Sequence, residues 1–425
     1  MNRASLTAVK GAIVMSQIGV LHRLFAVSVL SVIGLAMTAS GQTITDIGTL
    51  QPTGGTVESL GISADGTAVT GYSTLAGGTY RAIRWTESEG LQNLGVVPRG
   101  LRSFGFAISG DGAVVTGMSV VSGGGHVFRW TASGNMEDLG TIPAQNVSYG
   151  YAISASGSLI GGGPSSAGVG HGFVWSAGGG LSDIGLLPGA PTDASSSIFA
   201  LSSDGSFGAG VSGSSNGNRA ILWSNERTVL EDLGVLPGGA FSEALAISAD
   251  GSAITGSSDS ASGRRAFLWK RGTGMVDLGV LPGRGGPEGK AISADGSVVV
   301  GSDDAGAFLW TSPLGMVDLH AYLVSRGVTM TGWVLTSCNG ISADGTAMAG
   351  SGRFNGASRG WVVRGLPPVT CAADFDAGGT VAVPDIFAFL AAWFAQDARA
   401  DFDRNGTIAV PDIFAFLAAW FAGCP

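Results

Sequence analysis

One hexapeptide phrase, returning seven times, constrains the fold of this chain more than any other feature. Gly61-Ile62-Ser63-Ala64-Asp65-Gly66 comes back as AISGDG from Ala107, AISASG from Ala152, ALSSDG from Ala200, AISADG from Ala246 and again from Ala291, and GISADG from Gly340. The intervals between these starts run from 45 to 49 residues. A second phrase keeps step and ends in Trp85, Trp130, Trp175, Trp223, Trp269 and Trp310, with Val363 in the seventh place. A third, Asp-Leu/Ile-Gly, stands at Asp46, Asp138, Asp183, Asp232 and Asp277 and is degraded at Asn93 and Asp318. Self-similarity at a fixed period means one supersecondary unit used repeatedly, each copy burying its apolar face against the next.

The unit parses into four short strands. From Met275 to Trp310 it reads MVDLGVL, a Pro-Gly turn, KAIS, an Asp-Gly turn, SVVVGS, a Gly-rich turn, then AFLW. β-branched runs separated by Asp-Gly and Gly-Gly pairs are hairpin signals. Four strands per period of about 45 residues describe the blades of a β-propeller; a β-solenoid coil needs a shorter period and ranks second. The strand at Asp46 precedes the first hinge, and the last unit stops at WVVR without an Asp-Leu-Gly strand. The N-terminal strand is therefore expected to complete the seventh blade. The fold expectation is mainly β: a seven-bladed propeller over residues 42–364, then a linker over 365–370 and a small all-α domain over 371–425.

The 72 glycines then serve turns, because a hydrophobic content of 45% does not suit a disordered tail. A net charge of −9 argues against nucleic acid as a partner. At the N-terminus, Arg3 and Lys10, or His22 and Arg23, precede the apolar run Leu24 to Met37 and the small-residue exit Ala39-Ser40-Gly41. This is the pattern of a secretory leader over residues 1–41, with Met15 a second candidate start and a membrane anchor the competing reading. The expected location is extracellular or at the cell surface. Of three cysteines, Cys371 and Cys424 bracket the C-terminal unit, and an exported protein can oxidise them to a disulfide worth roughly 4 kcal/mol on the chain-entropy model. Cys338 is expected to pack as a small buried apolar group.

No catalytic constellation is visible in the repeats. His126 and His171 share a slot with Arg81, Arg219, Arg265 and Arg359, which suggests a strand-edge donor, and His320 has no ligand-forming neighbour. The acids of the Asp-Gly turns recur blade after blade and so serve the blades. Glu58, Glu243, Glu288, Asp193 and the Asp303-Asp304 pair do not recur, and sequence alone pairs none of them. The variable loops GYSTLAGGTY, PTDASSSI, SGSSNGN and HAYLVSRGVTMTGW are small and polar, with few aromatic platforms. No residue is therefore expected to be catalytic.

The chemistry lies at the C-terminus, where ADFDAGGTVAVPDIFAFLAAWFA from Ala373 returns as ADFDRNGTIAVPDIFAFLAAWFA from Ala400. In the second copy Asp401, Asp403 and Asn405 fall at loop positions 1, 3 and 5, Gly406 at 6, the Thr407 carbonyl at 7 and Asp412 at 12. Six or seven oxygens in that order suit a calcium ion. The first copy offers Asp374, Asp376, the Thr380 carbonyl and Asp385, with Gly378 at position 5, so water replaces one ligand. Two Ca2+ sites are expected, the second tighter. In each following helix Ile413, Phe416, Leu417 and Trp420, with their counterparts, should face the other copy. Phe387, Phe394, Phe414 and Phe421 fall on another face, beside Val383-Pro384 and Val410-Pro411, and form the candidate partner surface.

Two families carry these phrases. The repeats, with tripeptides such as Arg265-Ala266-Phe267, Gly306-Ala307-Phe308, His126-Val127-Phe128 and His171-Gly172-Phe173, resemble the HAF extracellular repeats, a resemblance that implies a secreted propeller. The span Cys371–Cys424 resembles a dockerin, in the variant ending in Gly-Cys. That resemblance implies two calcium-loop-helix units docking onto a cohesin-like protein. It departs at loop positions 10 and 11, Val383-Pro384 and Val410-Pro411, where such modules often carry small polar residues. The function expected is a non-enzymatic propeller displaying a binding surface for a glycan or protein ligand, tethered through calcium to a surface or multiprotein partner. A polysaccharide hydrolase or lyase on the same scaffold is the alternative.

Overall fold

The computed structural model of the protein describes residues 43–143, 145–164, 169–226, 230–366, 373, 375, 381–402 and 407–422. The expected leader, residues 367–370 of the expected linker, both bracketing cysteines and the candidate loop ligands Asp374, Asp376, Thr380, Asp403 and Asn405 lie outside these residues. Among the described residues no helix is long and apolar enough to cross a membrane.

The hinge phrase folds as the expected turn. In blade 1, Gly66 adopts φ +73°, which a glycine tolerates without steric cost. The Ser63 hydroxyl donates to Asp65 Oδ1 at 2.5 Å and accepts the Ala68 N–H at 2.9 Å, while Asp65 Oδ1 accepts the Thr67 N–H at 2.9 Å. The Ser-x-Asp pairing returns at Ser109/Asp111, Ser202/Asp204, Ser248/Asp250, Ser293/Asp295 and Ser342/Asp344. Hydrogen bonds to the ionised form hold three of the carboxyls down: chiefly the Ser109 hydroxyl for Asp111, and the amides of Ser206 and Ser252 for Asp204 and Asp250. These acids are turn residues, as their recurrence implied.

The turns also join the blades. Gly110 N–H donates to Ala155 O, Ala155 to Ser203, Ser203 to Ala249, Ala249 to Ala294, Ala294 to Ala343, and Ala343 back to Ala64, all at 2.8–3.0 Å. Asp65 N–H to Gly110 O, at 3.4 Å, completes the circle. The residue after the hinge serine is small in every blade because its backbone must meet the next turn.

Seven four-stranded antiparallel sheets follow. The innermost strand of each blade contacts those of both neighbours, and the seventh contacts the first. Blade 7 is closed by the N-terminal strand Ile44–Asp46, which pairs with Ala357–Val363 in the register Ile44↔Val363, Thr45↔Val362 and Asp46↔Trp361. Across the same junction Arg359 Nε lies 3.2 Å from Asp46 Oδ2. The parallel pairs His126–Asp138 at 3.0 Å, His171–Asp183 at 2.8 Å and Arg265–Asp277 at 3.5 Å account for the basic slot. In these blades it ties the third strand to the acid of the outermost strand, whereas Arg81 and Arg219 donate to the carbonyls of Leu101 and Ala240. The core lies between blades; Phe128, Phe173, Phe267, Phe308 and Trp361 are fully buried there. Val363 pairs with Met348 as Trp85 pairs with Val69, so it does occupy the missing tryptophan's place. Leu366 is buried in the core of blade 7 and its N–H donates to Thr346 O. Cys338 is fully buried, and burial pushes its thiol up to about 12, so it behaves as an unreactive apolar group.

The C-terminal residues form two helices, Val383–Phe394 and Val410–Ala422, each with proline in its first turn. Phe389 and Phe416 stack at 4.2 Å between centroids, and Phe375 and Phe402 meet both rings edge-on. Trp393 Nε1 donates to Ala409 O at 3.1 Å, and Trp420 Nε1 donates to Ala382 O at 3.0 Å. Each helix thus braces the entry of the other, and Ile413, Phe416, Leu417 and Trp420 pack inward together.

Candidate functional site

Every innermost strand carries an extra residue before its hinge, and that of blade 7 carries a second between Leu335 and Ser337. The register breaks between Ser59 and Gly61, Gly105 and Ala107, Gly150 and Ala152, and equivalently in blades 4 to 7. A glycine on the second strand permits the bulge. A Cβ at Gly71, Gly117, Gly162, Gly210, Gly256, Gly301 or Gly350 would fall on the carbonyl oxygen of the residue two before the bulge. This accounts for the recurrent glycine after each hinge.

The extra residue is unpaired in the ladder, so architecture does not fix its identity. Leu60 and Leu245 fill the place in blades 1 and 5, Lys290 and Asn339 in blades 6 and 7. In blades 2, 3 and 4 it is aromatic: Phe106, Tyr151 and Phe199. These rings are half-buried and touch across blade boundaries, with centroids 5.5 Å apart for Phe106–Tyr151 and 5.3 Å for Tyr151–Phe199. Phe104 and Tyr149, two residues earlier on the same faces, add to the wall. Tyr72 and Tyr80 extend it into blade 1 through Phe104, at 5.0 and 5.5 Å. The Tyr72 hydroxyl donates to Glu58 at 2.6 Å.

The opposite arc is charged. Arg264 of blade 5 places Nη2 2.7 Å from Glu243 Oε1 and Nη1 3.3 Å from Glu288 Oε1. Glu243 stands at the start of one innermost strand, next to its first residue Ser242, and Glu288 begins the next, so the arginine bridges two blades. Burial raises the Glu243 carboxyl; Arg264 opposes that shift and Glu288 reinforces it. The Ser257 hydroxyl donates to Glu243 at 3.0 Å, and Arg264 also stands 5.1 Å above the Phe241 ring. Beside Glu288 lies a depression of about 480 Å³ lined by Gly285, Gly286, Asp303 and Asp304. There Arg284 spans Asp303 at 3.5 Å and Asp318 at 2.6 Å.

Glu243 and Glu288, scattered in sequence, converge on one arginine because equivalent positions of adjacent innermost strands are neighbours. The aromatic wall stands on the strands, and Tyr72 and Tyr80 of the segment GYSTLAGGTY belong to it. The sequence did carry a signal. Four of the chain's five tyrosines lie between residues 72 and 151, and FGF and YGY each stand immediately before a hinge.

In the C-terminal unit Asp385 and Asp412 are fully buried. Asp385 Oδ2 accepts the Ala382 N–H at 2.7 Å and Asp412 Oδ2 the Ala409 N–H at 2.8 Å, each capping its helix. Asp401 and Thr407 are described at the loop edges. Phe387, Phe394, Phe414 and Phe421 are 68%, 75%, 68% and 77% exposed, and Val383 and Val410 stand out beside Pro384 and Pro411. All eight candidate docking residues are therefore at least partly accessible, in two equivalent sets.

No protein-family model matches the chain, and no curated protein matches it. Among solved structures, an oligogalacturonate lyase from Vibrio parahaemolyticus is 12% identical, with 77% of this chain and 94% of that one covered and a TM-score of 0.53. An oligogalacturonate lyase in complex with manganese is 14% identical, with 78% and 94% covered and a TM-score of 0.50. TolB from Acinetobacter baumannii is 14% identical with a TM-score of 0.40; 74% of this chain aligns with 65% of that one, less than two thirds of its length. At these identities the likeness shows the propeller fold alone.

Proposed function

We propose that this chain is an exported binding propeller, held to a surface or multiprotein partner by a calcium-loaded C-terminal module. The observation that carries the docking half is the exposure of Phe387, Phe394, Phe414 and Phe421 on helices that bury their other aromatic rings. Large exposed apolar patches mark interaction surfaces. A cohesin-like receptor is the partner class. The residues fit calcium: a buried carboxylate is costly without compensating charge, and Asp385 and Asp412 stand buried at position 12 of loops rich in acids. Asp374, Asp376, Thr380 and Asp385 would hold one ion; Asp401, Asp403, Asn405, Thr407 and Asp412 would hold the other, more tightly.

Because the two sets are equivalent, either can serve alone. With the full chain as bait in an envelope extract, Phe387→Ser with Phe394→Ser, or Phe414→Ser with Phe421→Ser, is expected to keep its captured partner. All four changes together should weaken capture by at least about 100-fold, at roughly 2 kcal/mol for each central anchor. Undiminished capture by the fourfold variant rules out this surface.

A second reading, a glycan hydrolase or lyase, is favoured by Glu243 and Glu288 meeting on Arg264 with the Glu243 carboxyl raised. Two converging carboxyls in unlike surroundings are the pair that glycosidic cleavage uses. If it holds, the protein releases new reducing or unsaturated ends from polysaccharide, and Glu243→Gln slows release by about 10²-fold or more. No release from glucan, xylan or pectin fragments by the unaltered protein removes it.

A further inference from the structure

We infer that the bulge ring of the propeller binds an uncharged oligosaccharide; this rests on the binding reading above and adds the ligand's chemical class. The fold explains the bulge and its facing glycine in all seven blades but not what fills it, since leucine, lysine and asparagine serve as well. Three consecutive aromatic residues therefore stand where the architecture requires none. Phe106, Tyr151 and Phe199 make a half-exposed apolar wall running over three blades.

The facing arc selects the class. Its charges are already committed to one another: Arg264 holds Glu243 and Glu288, and Arg284 holds Asp303 and Asp318. A cationic ligand would have to displace Arg264 from two carboxylates, and an anionic one would meet those carboxylates first. A neutral polyol meets donors and acceptors already held in place by the ion pairs and need displace none of them. A pyranose offers a flat C–H face for the aromatic wall and hydroxyls along its edge for the charged arc. That is the usual division of a small-ligand site into an apolar lining and a few fixed polar groups. The ring of backbone bonds between hinge turns lies at the far end of the innermost strands, so access is from the end where these strands begin.

The test is titration calorimetry on the full chain with defined hexasaccharides. The neutral probes are cellohexaose, maltohexaose and laminarihexaose; the charged ones are hexagalacturonate and the chitosan hexamer. At least one neutral probe is expected to bind more tightly than either charged one. Phe106→Leu with Tyr151→Leu should weaken that binding by about tenfold or more, the loss of one aromatic anchor's worth of contact. Arg264→Gln, which leaves the arc negative, should weaken the neutral probe and favour the chitosan hexamer. In the unaltered protein the bound neutral probe should protect Tyr149 and Tyr151 from nitration, a readout that survives even if the leucine variant does not fold. Failure of every neutral probe to bind, or binding with no protection and no loss in the variant, overturns the inference. A charged probe that binds and protects these tyrosines overturns the neutral class while leaving the ring a binding site.

Discussion

Exchanging Asp385 and Asp412 together for alanine will abolish calcium binding and unfold the C-terminal module. Both carboxylates are fully buried, and each accepts a backbone N–H at the start of its helix. Loss of such a cap costs about 0.5–2 kcal/mol per helix. Loss of the ion costs more: at a calcium concentration 1,000 times Kd, binding stabilises the folded state by about 4.1 kcal/mol. A unit of two helices around four packed phenylalanines has little stability to spare, since small domains bury a modest fraction of their surface. Calorimetric titration of the unaltered chain should show two calcium sites of unequal strength, and the double variant should show none. The module's helical unfolding transition should move to lower temperature when calcium is chelated. Two sites retained in the double variant, or a transition indifferent to chelation, excludes calcium as the module's support.

Removal of Thr43–Gly48 will open the propeller. The loss includes the ladder between Ile44–Asp46 and blade 7, the Asp46–Arg359 pair, and the buried side chain of Ile47. Apolar burial contributes about 1.5–3 kcal/mol for a side chain such as Ile47, and each ladder hydrogen bond about 1 kcal/mol. Together with the opened edge, the expected destabilisation is about 5 kcal/mol or more. The exposed strand Ala357–Val363 would also present an unpaired edge to other chains. Urea unfolding should shift to a clearly lower midpoint, with a concentration-dependent tendency to associate. An unchanged midpoint means that the ring does not depend on this strand. Exchange of Asp46 for alanine alone should have a small effect, because the pair it breaks is partly solvent-exposed.

The blades were legible because each feature that builds them recurs. The hinge serine and aspartate, the small residue between them, and the glycine opposite the bulge appear in nearly every copy, since a backbone contact repeated sevenfold demands the same residues sevenfold. The basic slot was legible for the same reason: arginine and histidine both reach the acid of the outermost strand. The inward and outward faces of the C-terminal helices followed from 3.6-residue periodicity, and the burial of Phe389 and Phe416 against the exposure of Phe387 and Phe414 matches it. The bulge ring was not legible by these means. It consists of the residues that do not repeat, and repetition was the signal being read.

By itself, then, the sequence determined the number of blades, the closure of the ring by its first strand, and the duplicated helices with their two aromatic faces. All of these rest on local periodicity or on contacts that every copy must make. Only the tertiary structure decided which unlike residues meet. Phe106, Tyr151 and Phe199 come together, and Glu243 and Glu288 share Arg264, because ring closure brings corresponding positions some 45 to 48 residues apart in the chain to adjacent places around one axis. Proximity of that kind is a property of the closed ring, not of any segment within it.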